Sequence, residues 1–314
     1  MSKSHHNDKF AAEYIMPLEA ADSRVLVPEG ERVEFEVAGR LASMWVSSDQ
    51  VKVRIADLES REDAEAMLLA LRAGLALASL ELALTPVPYR APAGYYGVPS
   101  PVPLPEGLDD CGYGAIVARN AFVTAKRLEL RWRFSVEWGS VAECLRRGSA
   151  FAHNLTHPRL RLALDLRAAA EHDRSAAAQL LLYVASLESL CEQRPKHPVA
   201  QEQIEIWSGQ LGKWISALPD GDELKESLIA LRREIESRAQ ESVRQSLRRT
   251  VRDLLTRDGQ VDDVPAVFRE LDQLYDIRST LAHDGKLQDE GVAEWARNVN
   301  RRILLAALRV GLPR

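Results

Sequence analysis

The hydrophobic pattern of this chain changes near residue 150, and that change constrains the fold more than any other feature. Beyond it, apolar residues recur with the period of amphipathic helices. We predict helices over residues 175–193, 199–217, 222–257 with a break allowed near Ser237, 263–283 and 289–310. Residues 159–167 alternate as a strand would. A lone strand in a helical bundle would leave its edges unpaired, so we predict a helix there as well.

The first half of the chain mixes strand and helix patterns. Short segments of alternating apolar and polar residues, separated by Pro and Gly turn signals, predict strands. We predict strands around Val33, Phe35 and Val37, over residues 41–47 and 51–58, and, as the most regular case, over residues 126–138. Residues 60–84 predict one helix, with Ser60 as its N-cap and acidic residues in its first turn.

A proline-rich segment interrupts the first half. Residues 85–110 hold seven of the fifteen prolines, which excludes a helix or a central strand and predicts an extended surface loop. A length of 314 residues favours two domains. The predicted fold class is an α+β N-terminal region, a sensor or partner-binding domain over 1–150, followed by an all-α helical bundle over 151–314.

Composition narrows the classes of protein that remain. The formal net charge of −5 argues against a general polyanion binder, so contact with RNA would need a local basic patch. The three cysteines, Cys111, Cys144 and Cys191, have no metal-ligand spacing and are typical of buried thiols in a reducing compartment. No signal peptide and no run of apolar residues long enough for a bilayer is found. We therefore expect a cytoplasmic protein that does not enter a membrane.

One arginine breaks the amphipathic pattern of the helix predicted at 263–283. Apolar side chains fill one half of this helix, and Arg278 lies near the centre of that half, between Val267 and Leu271. A guanidinium stays charged, and burying a charge is costly unless it is paired. Arg278 should therefore meet a carboxylate within the bundle or emerge at a cleft or subunit interface.

The same helix ends at a histidine. His283 lies beside the negative end of the helix dipole, which favours the imidazolium form, and a histidine can exchange protons near neutral pH. On a regular helix it would lie about 140° away from Arg278. The two side chains can therefore converge only if the last turn unwinds or if a second copy of the helix lies alongside.

These residues resemble the signature of HEPN domains, a family of nucleotide-binding helical domains. The R-x-x-x-x-H motif is written here as Arg278-Ser279-Thr280-Leu281-Ala282-His283, preceded by Tyr-Asp-Ile and followed by Asp-Gly, and the flanking residues look most like the Apea-like branch. Residues 177–192 resemble that branch's helix bearing Ala/Ser-Leu-Glu-x-Leu, with Glu188 at the acidic position. The resemblance covers roughly residues 150–314.

The resemblance implies a helical bundle that dimerises across the motif and acts as a metal-independent endoribonuclease in a prokaryotic defence or toxin system. Cleavage of single-stranded RNA by its own 2′-OH needs proton transfer and a cation for the charge on the phosphorane. His283 and Arg278 would supply these. Glu188 would orient Arg278 through a salt bridge, with Asp276 and Ser279 as flanking support.

Two alternatives remain open. Many active HEPN members carry Asn, Asp or His where this chain has Ser279, so the second hypothesis is a catalytically silent HEPN binding or dimerisation module. The third places the function in the first 150 residues, as a sensor of an unknown ligand or partner.

Other motifs carry weaker indications. Arg244, Arg248 and Arg252 form a ridge that is typical of a solvated helix face, and they would be the RNA phosphate contacts if RNA binds. His153 and His157 have the spacing of metal ligands, but Pro158 follows directly and no metal site is predicted. The chain has no glycine-rich phosphate loop, and no cofactor is expected.

Overall fold

The N-terminal region forms a five-stranded antiparallel sheet with strand order β2-β3-β4-β1-β5. The computed structural model describes residues 10–17, 32–47, 50–82, 114–118, 138–173, 175–285, 287, 289 and 291–312. The strands are β1 Phe10–Pro17, β2 Arg32–Val37, β3 Arg40–Ser47, β4 Gln50–Leu58 and β5 Gly114–Ala118. Strands β2 and β3 are joined by a two-residue turn, in which Ala38 and Gly39 both have positive φ, as a tight hairpin requires.

Two helices cover this sheet. Helix α1, Arg61–Glu81, begins where the Ser60 hydroxyl accepts a hydrogen bond from the Asp63 backbone N–H at 3.0 Å. Helix α2, Trp138–Gly148, packs against α1 and β2 and leads into a 3-10 helix, Ser149–Thr156. The backbones of α1 and α2 approach closely, because a Cβ at Gly74 would lie 2.5 Å from the Cα of Leu145.

The rest of the chain is helical. Its helices are α3 Pro158–His172, α4 Ala176–Ser189, α5 Pro198–Ser216, α6 Glu223–Ser237, α7 Val243–Arg257, α8 Val264–Asp284, which follows a short 3-10 turn, and α9 Gly291–Val310. Helix α9 packs against α4, α7 and α1, and its buried side chains join those of the sheet region in one continuous hydrophobic core. No helix in the described part of the chain is both long and apolar enough to cross a membrane.

A network of polar groups is buried among α3, α4 and α9. Arg167 pairs with Glu171 at 2.9 Å and donates to the Asn300 side-chain oxygen at 3.1 Å. The Asn300 amide donates in turn to the Ser186 hydroxyl at 2.9 Å, and Arg297 reaches Glu171 at 2.9 Å. Apart from the Arg167 Nε, which has no partner here, these hydrogen bonds offset the cost of removing the groups from water.

Much of the predicted architecture is confirmed: an antiparallel sheet near the N-terminus is followed by a helical region. The strands expected at 41–47 and 51–58 and the helical interpretation of 159–167 are found, and the helix expected at 60–84 is found over Arg61–Glu81. The break near Ser237 separates α6 from α7. Sequence reasoning missed β1, β5 and α2.

Other predictions about the first half reach residues beyond those described. The proline-rich segment 85–110 and residues 126–137 fall there, and the predicted strand is wrong at Trp138, which begins α2. The division into domains 1–150 and 151–314 stays a prediction.

Candidate functional site on helix α8

Helix α8 is regular from end to end. Pro265 occupies its first turn, where the missing N–H costs nothing. Gly285 ends the helix in the left-handed conformation at φ 68°, and its N–H donates to the Leu281 carbonyl at 2.9 Å. Because α8 extends to Asp284, the last turn does not unwind. Arg278 and His283 therefore point about 140° apart within one chain.

Arg278 is half-buried on α8 and forms no ion pair with a carboxylate that the structure describes. Its guanidinium lies over the ring of Tyr275, 5.9 Å from the ring centroid, and its side chain forms no hydrogen bond or ion pair with any other residue that the structure describes. The predicted salt bridge between Arg278 and Glu188 is therefore wrong. A cation placed over an aromatic face is stabilised, but its N–H groups remain available to a ligand.

Glu188 of α4 instead lies close to Tyr275. Burial raises the pKa of the Tyr275 phenol, and the nearby negative charge of Glu188 raises it further, whereas Arg278 and Arg244 act in the opposite direction. A cluster of polar side chains thus lies where α4, α7 and α8 meet; it consists of Glu188, Arg244, Tyr275 and Arg278. The phenol stays protonated at neutral pH and can donate a hydrogen bond. Sequence reasoning gave Tyr275 no role, although its i, i+3 spacing from Arg278 is a signal for such a contact.

His283 is exposed in the last turn of α8. Its imidazole forms no hydrogen bond or ion pair with other residues in the described ranges. It is therefore open to solvent and to any partner that approaches the C-terminal end of the helix. Ser279, directly after Arg278, is half-buried, and its side chain likewise forms no hydrogen bond within those ranges.

The ridge of arginines was predicted to be a solvated face of its helix, but it lies beside α8 and is in part bound to it. Arg244 reaches Asp276 at 2.7 Å and Asp272 at 3.1 Å, and Arg248 forms an ion pair with Asp272. Arg252, over the ring of Phe268 at 5.3 Å, forms no ion pair with the described residues. The carboxylates of α8 thus neutralise two of the three cations. Asp276, predicted to support Arg278, pairs with Arg244 instead.

Other candidate residues have structural roles. His157 accepts a hydrogen bond from the Arg159 N–H at 3.3 Å and caps α3, and His153 is exposed. No cluster of three or more His, Cys, Asp or Glu side chains suited to a metal occurs among the described residues. Burial raises the pKa of Cys144 and of Cys191 to about 11, which leaves both thiols protonated and unreactive at neutral pH.

A cleft of about 330 Å³ lies elsewhere, along α9. Its lining includes Trp295 and three arginines, all of which are held by neighbouring groups. Arg301 donates to the Glu81 carbonyl at 2.8 Å, Arg302 pairs with Glu270, and Arg309 pairs with Glu81 at 3.2 Å. Neither Arg278 nor His283 lines this cleft, so it is separate from the α8 site.

Comparisons with protein-family models, with curated proteins and with solved structures found no match to this chain. The resemblance to HEPN domains therefore rests on the motif in α8 and the acidic segment of α4. The site consists of a half-buried guanidinium without an ion pair among the described residues, an aromatic ring beneath it, and an exposed imidazole on another side of the same helix.

Proposed function

We propose that this chain is a metal-independent endoribonuclease of the HEPN type, which cuts single-stranded RNA through attack of the 2′-OH. The observation that carries the proposal is the state of Arg278: a half-buried guanidinium that no described carboxylate neutralises, five residues before an exposed histidine. A charge left unpaired at such a position has a cost. A phosphate group would remove that cost, because the guanidinium fork matches its oxygens.

The chemistry assigns a separate task to each side chain. The 2′-OH loses a proton and its oxygen bonds to the adjacent phosphorus, while the 5′-oxygen leaves and takes up a proton, giving a 2′,3′-cyclic phosphate. His283 exchanges the proton with one of these oxygens. Arg278 stabilises the charge that develops on the phosphorane. Tyr275 holds the guanidinium in place from below.

A complete site needs two copies of α8. Because Arg278 and His283 diverge on one regular helix, a two-fold symmetric pair would bring the arginine of one copy to the histidine of the other. This is the arrangement that we propose, with α8 near the symmetry axis. Arg252, the cation of the ridge without an ion pair among the described residues, is then the best candidate for an additional phosphate contact.

A second candidate function is a silent binding module, in which Arg278 and His283 shape a dimer or partner surface. The pairing of Arg244 and Arg248 with Asp272 and Asp276 favours it, because those cations are less available to RNA. The N-terminal sheet would then carry the sensing function.

The test is cleavage of single-stranded RNA by the purified chain in EDTA. We expect products with 2′,3′-cyclic phosphate ends, and we expect the same sequence as DNA to survive. His283→Ala should abolish cleavage, whereas His153→Ala, which removes another exposed histidine, should leave the rate unchanged. Cleavage by His283→Ala at the wild-type rate would contradict the assigned role. Failure to cut any RNA favours the silent module.

Mixing two inactive variants tests the shared site. In a mixture of Arg278→Ala and His283→Ala chains, each mixed dimer keeps one site with both groups only if they come from different copies. Random pairing then restores about a quarter of the wild-type activity. If both groups must come from the same chain, the mixture stays inactive.

A further inference from the structure

Helices α5 and α6 form an antiparallel hairpin that projects from the bundle. Within the described residues they pack extensively only against each other. Two backbone hydrogen bonds fix the hairpin at its base. The Lys196 N–H donates to the Ala239 carbonyl at 2.9 Å, and the Glu241 N–H donates to the Arg194 carbonyl at 2.8 Å. Near its middle, Arg232 donates to the Ser208 hydroxyl at 3.0 Å. The hairpin is thus a defined structural unit attached at one end.

Both helices carry apolar residues in the seven-residue pattern of packed bundles. In α5 and the turn after it, the residues spaced by four and three are Ala200, Ile204, Trp207, Leu211, Trp214 and Leu218. In α6 they are Leu224, Leu228, Leu231 and Ile235. We call each of these rows a seam, and the other helix of the hairpin covers each seam only in part. Trp207 and Trp214 are 51% and 61% exposed, and Leu224 and Leu231 are 56% and 43% exposed.

The open halves of the two seams lie on the same side of the hairpin. An α-helix turns about 100° per residue, and Ser208 of α5 faces Arg232 of α6. On that geometry, the side of the hairpin that carries Trp207 and Trp214 also carries Leu224 and Leu231. We call this side the apolar face. Helix α6 has no buried residue, although it carries a complete seam. Of the ten large hydrophobic residues exposed in the described part of the chain, six lie on this hairpin and four of those six on this face. Such a concentrated apolar patch marks an interaction surface.

We propose that a second copy of this hairpin covers the face, so that two hairpins form a four-helix bundle and the chain is a homodimer. The area supports this occupant: two tryptophans and two leucines, each about half exposed, offer roughly 500 Å² per copy, and about 1,000 Å² in a dimer meets the lower limit for a specific interface. A two-fold axis places each seam against an equivalent seam, whose spacing matches by construction.

Charge does not oppose the pairing of like copies. The arginines beside the α6 seam are already bound within that helix, Arg232 to Glu236 at 2.9 Å and Arg238 to Glu234 at 3.0 Å. The edges of the face therefore present paired charges rather than a single sign.

The inference is independent of the proposed ribonuclease. The base of the hairpin adjoins the α8 site, because Glu188 lies in the last turn of the helix before the hairpin and Arg244 in the first turn of the helix after it.

Sedimentation equilibrium of the full chain tests the interface. We expect the 35.0 kDa chain to behave as a dimer at micromolar concentration. Trp207→Gln/Trp214→Gln should raise the dissociation constant at least about 30-fold, as loss of interface hot spots does. Leu224→Gln/Leu231→Gln should act in the same way from the other helix. The matched control is Leu41→Gln/Leu162→Gln, which removes exposed leucines elsewhere and should leave the dimer intact.

Far-ultraviolet circular dichroism shows whether each variant keeps its helices. A folded wild-type chain that remains monomeric at about 50 μM, well above the micromolar range of a stable complex, overturns the proposal. Folded hairpin variants that dimerise as tightly as wild type also overturn it and place the interface elsewhere. RNA cleavage is measured separately, so a hairpin dimer that cuts no RNA contradicts only the ribonuclease.

Discussion

Helices α9 and α6 have similar amphipathic sequences but opposite surroundings. Helix α9 buries nine residues, among them Ile303 and Leu304, whereas α6 buries none. Both were predicted from the same periodic pattern. Periodicity therefore identifies a helix and its apolar face, but not the partner that covers the face. For α9 the partner is within the chain, and for α6 we infer that it is a second copy.

Two arginines differ in the same way. Arg167 of α3 and Arg278 of α8 are each a charged residue in a helix that packs in the bundle. Arg167 is 3% exposed and bound to Glu171 and Asn300, so it serves the fold. Arg278 is half-buried, lies over an aromatic ring and forms no ion pair with a described carboxylate. The partners of Arg167 within the chain account for its burial. Arg278 has no such ion pair among the described residues, so we infer that it binds a ligand or a partner.

The largest effect that we expect comes from removing the satisfied arginine. Arg167→Ala leaves the Glu171 carboxylate with one cation fewer and Asn300 without a donor, so it should lower the free energy of unfolding by about 3–5 kcal/mol. Urea denaturation measures this.

The matched control is Arg238→Ala, which breaks an exposed pair four residues apart with Glu234 and should cost less than about 1 kcal/mol. If both substitutions lower the free energy of unfolding equally, the buried network of the bundle stabilises the fold no more than an exposed ion pair of the hairpin does. Arg278→Ala should cost less than Arg167→Ala, because no described carboxylate is left unpaired.

The sequence predicted what local patterns determine. Ser60, Pro265 and Gly285 marked helix ends correctly, and the break at Ser237 was visible in the pattern. It did not predict β1 or β5. Strand β5 has only five residues, and in β1 the register shifts between Phe10 and Ala12, so Ala11 and Ala12 are both buried and strict alternation is lost. Nor did it predict that Glu188 lies beside Tyr275 instead of Arg278, since a choice between neighbours on one helix depends on how α4 and α8 pack.

Two glycines give the second contrast, between the packed α1–α2 crossing and the hairpin. Gly74→Ala places a methyl group 2.5 Å from the Leu145 Cα at the crossing of α1 and α2, and it should lower the unfolding free energy by about 1–3 kcal/mol. Gly209→Ala, in α5, meets nothing within 4 Å and should raise it by about 0.5–1 kcal/mol through helix propensity. Thermal denaturation measures both. The same sign for the two substitutions would contradict the packing described for the crossing.

The smallest effect concerns the joint between the hairpin and the bundle. Glu241 accepts a hydrogen bond from the Arg194 N–H at 3.0 Å and forms an ion pair with Arg249 of α7. The hydrogen bond from Arg249 is the main cause that lowers the pKa of Glu241, against the opposing effect of burial. A lowered carboxyl pKa contributes stability above the unfolded-state pKa, and that contribution is lost as the pH falls through the folded-state value.

Glu241→Gln should therefore cost about 1 kcal/mol at pH 7, and the difference from wild type should shrink as the solution is acidified below the ordinary glutamate range. Urea denaturation at pH 7 and at pH 3 measures the change, with Glu202→Gln on the exposed side of α5 as the control that alters neither value. Hydrogen exchange at the Lys196 amide gives a local readout, because that N–H belongs to the hairpin base. A cost that is equal at both pH values would show that the carboxylate charge does not hold the hairpin to the bundle.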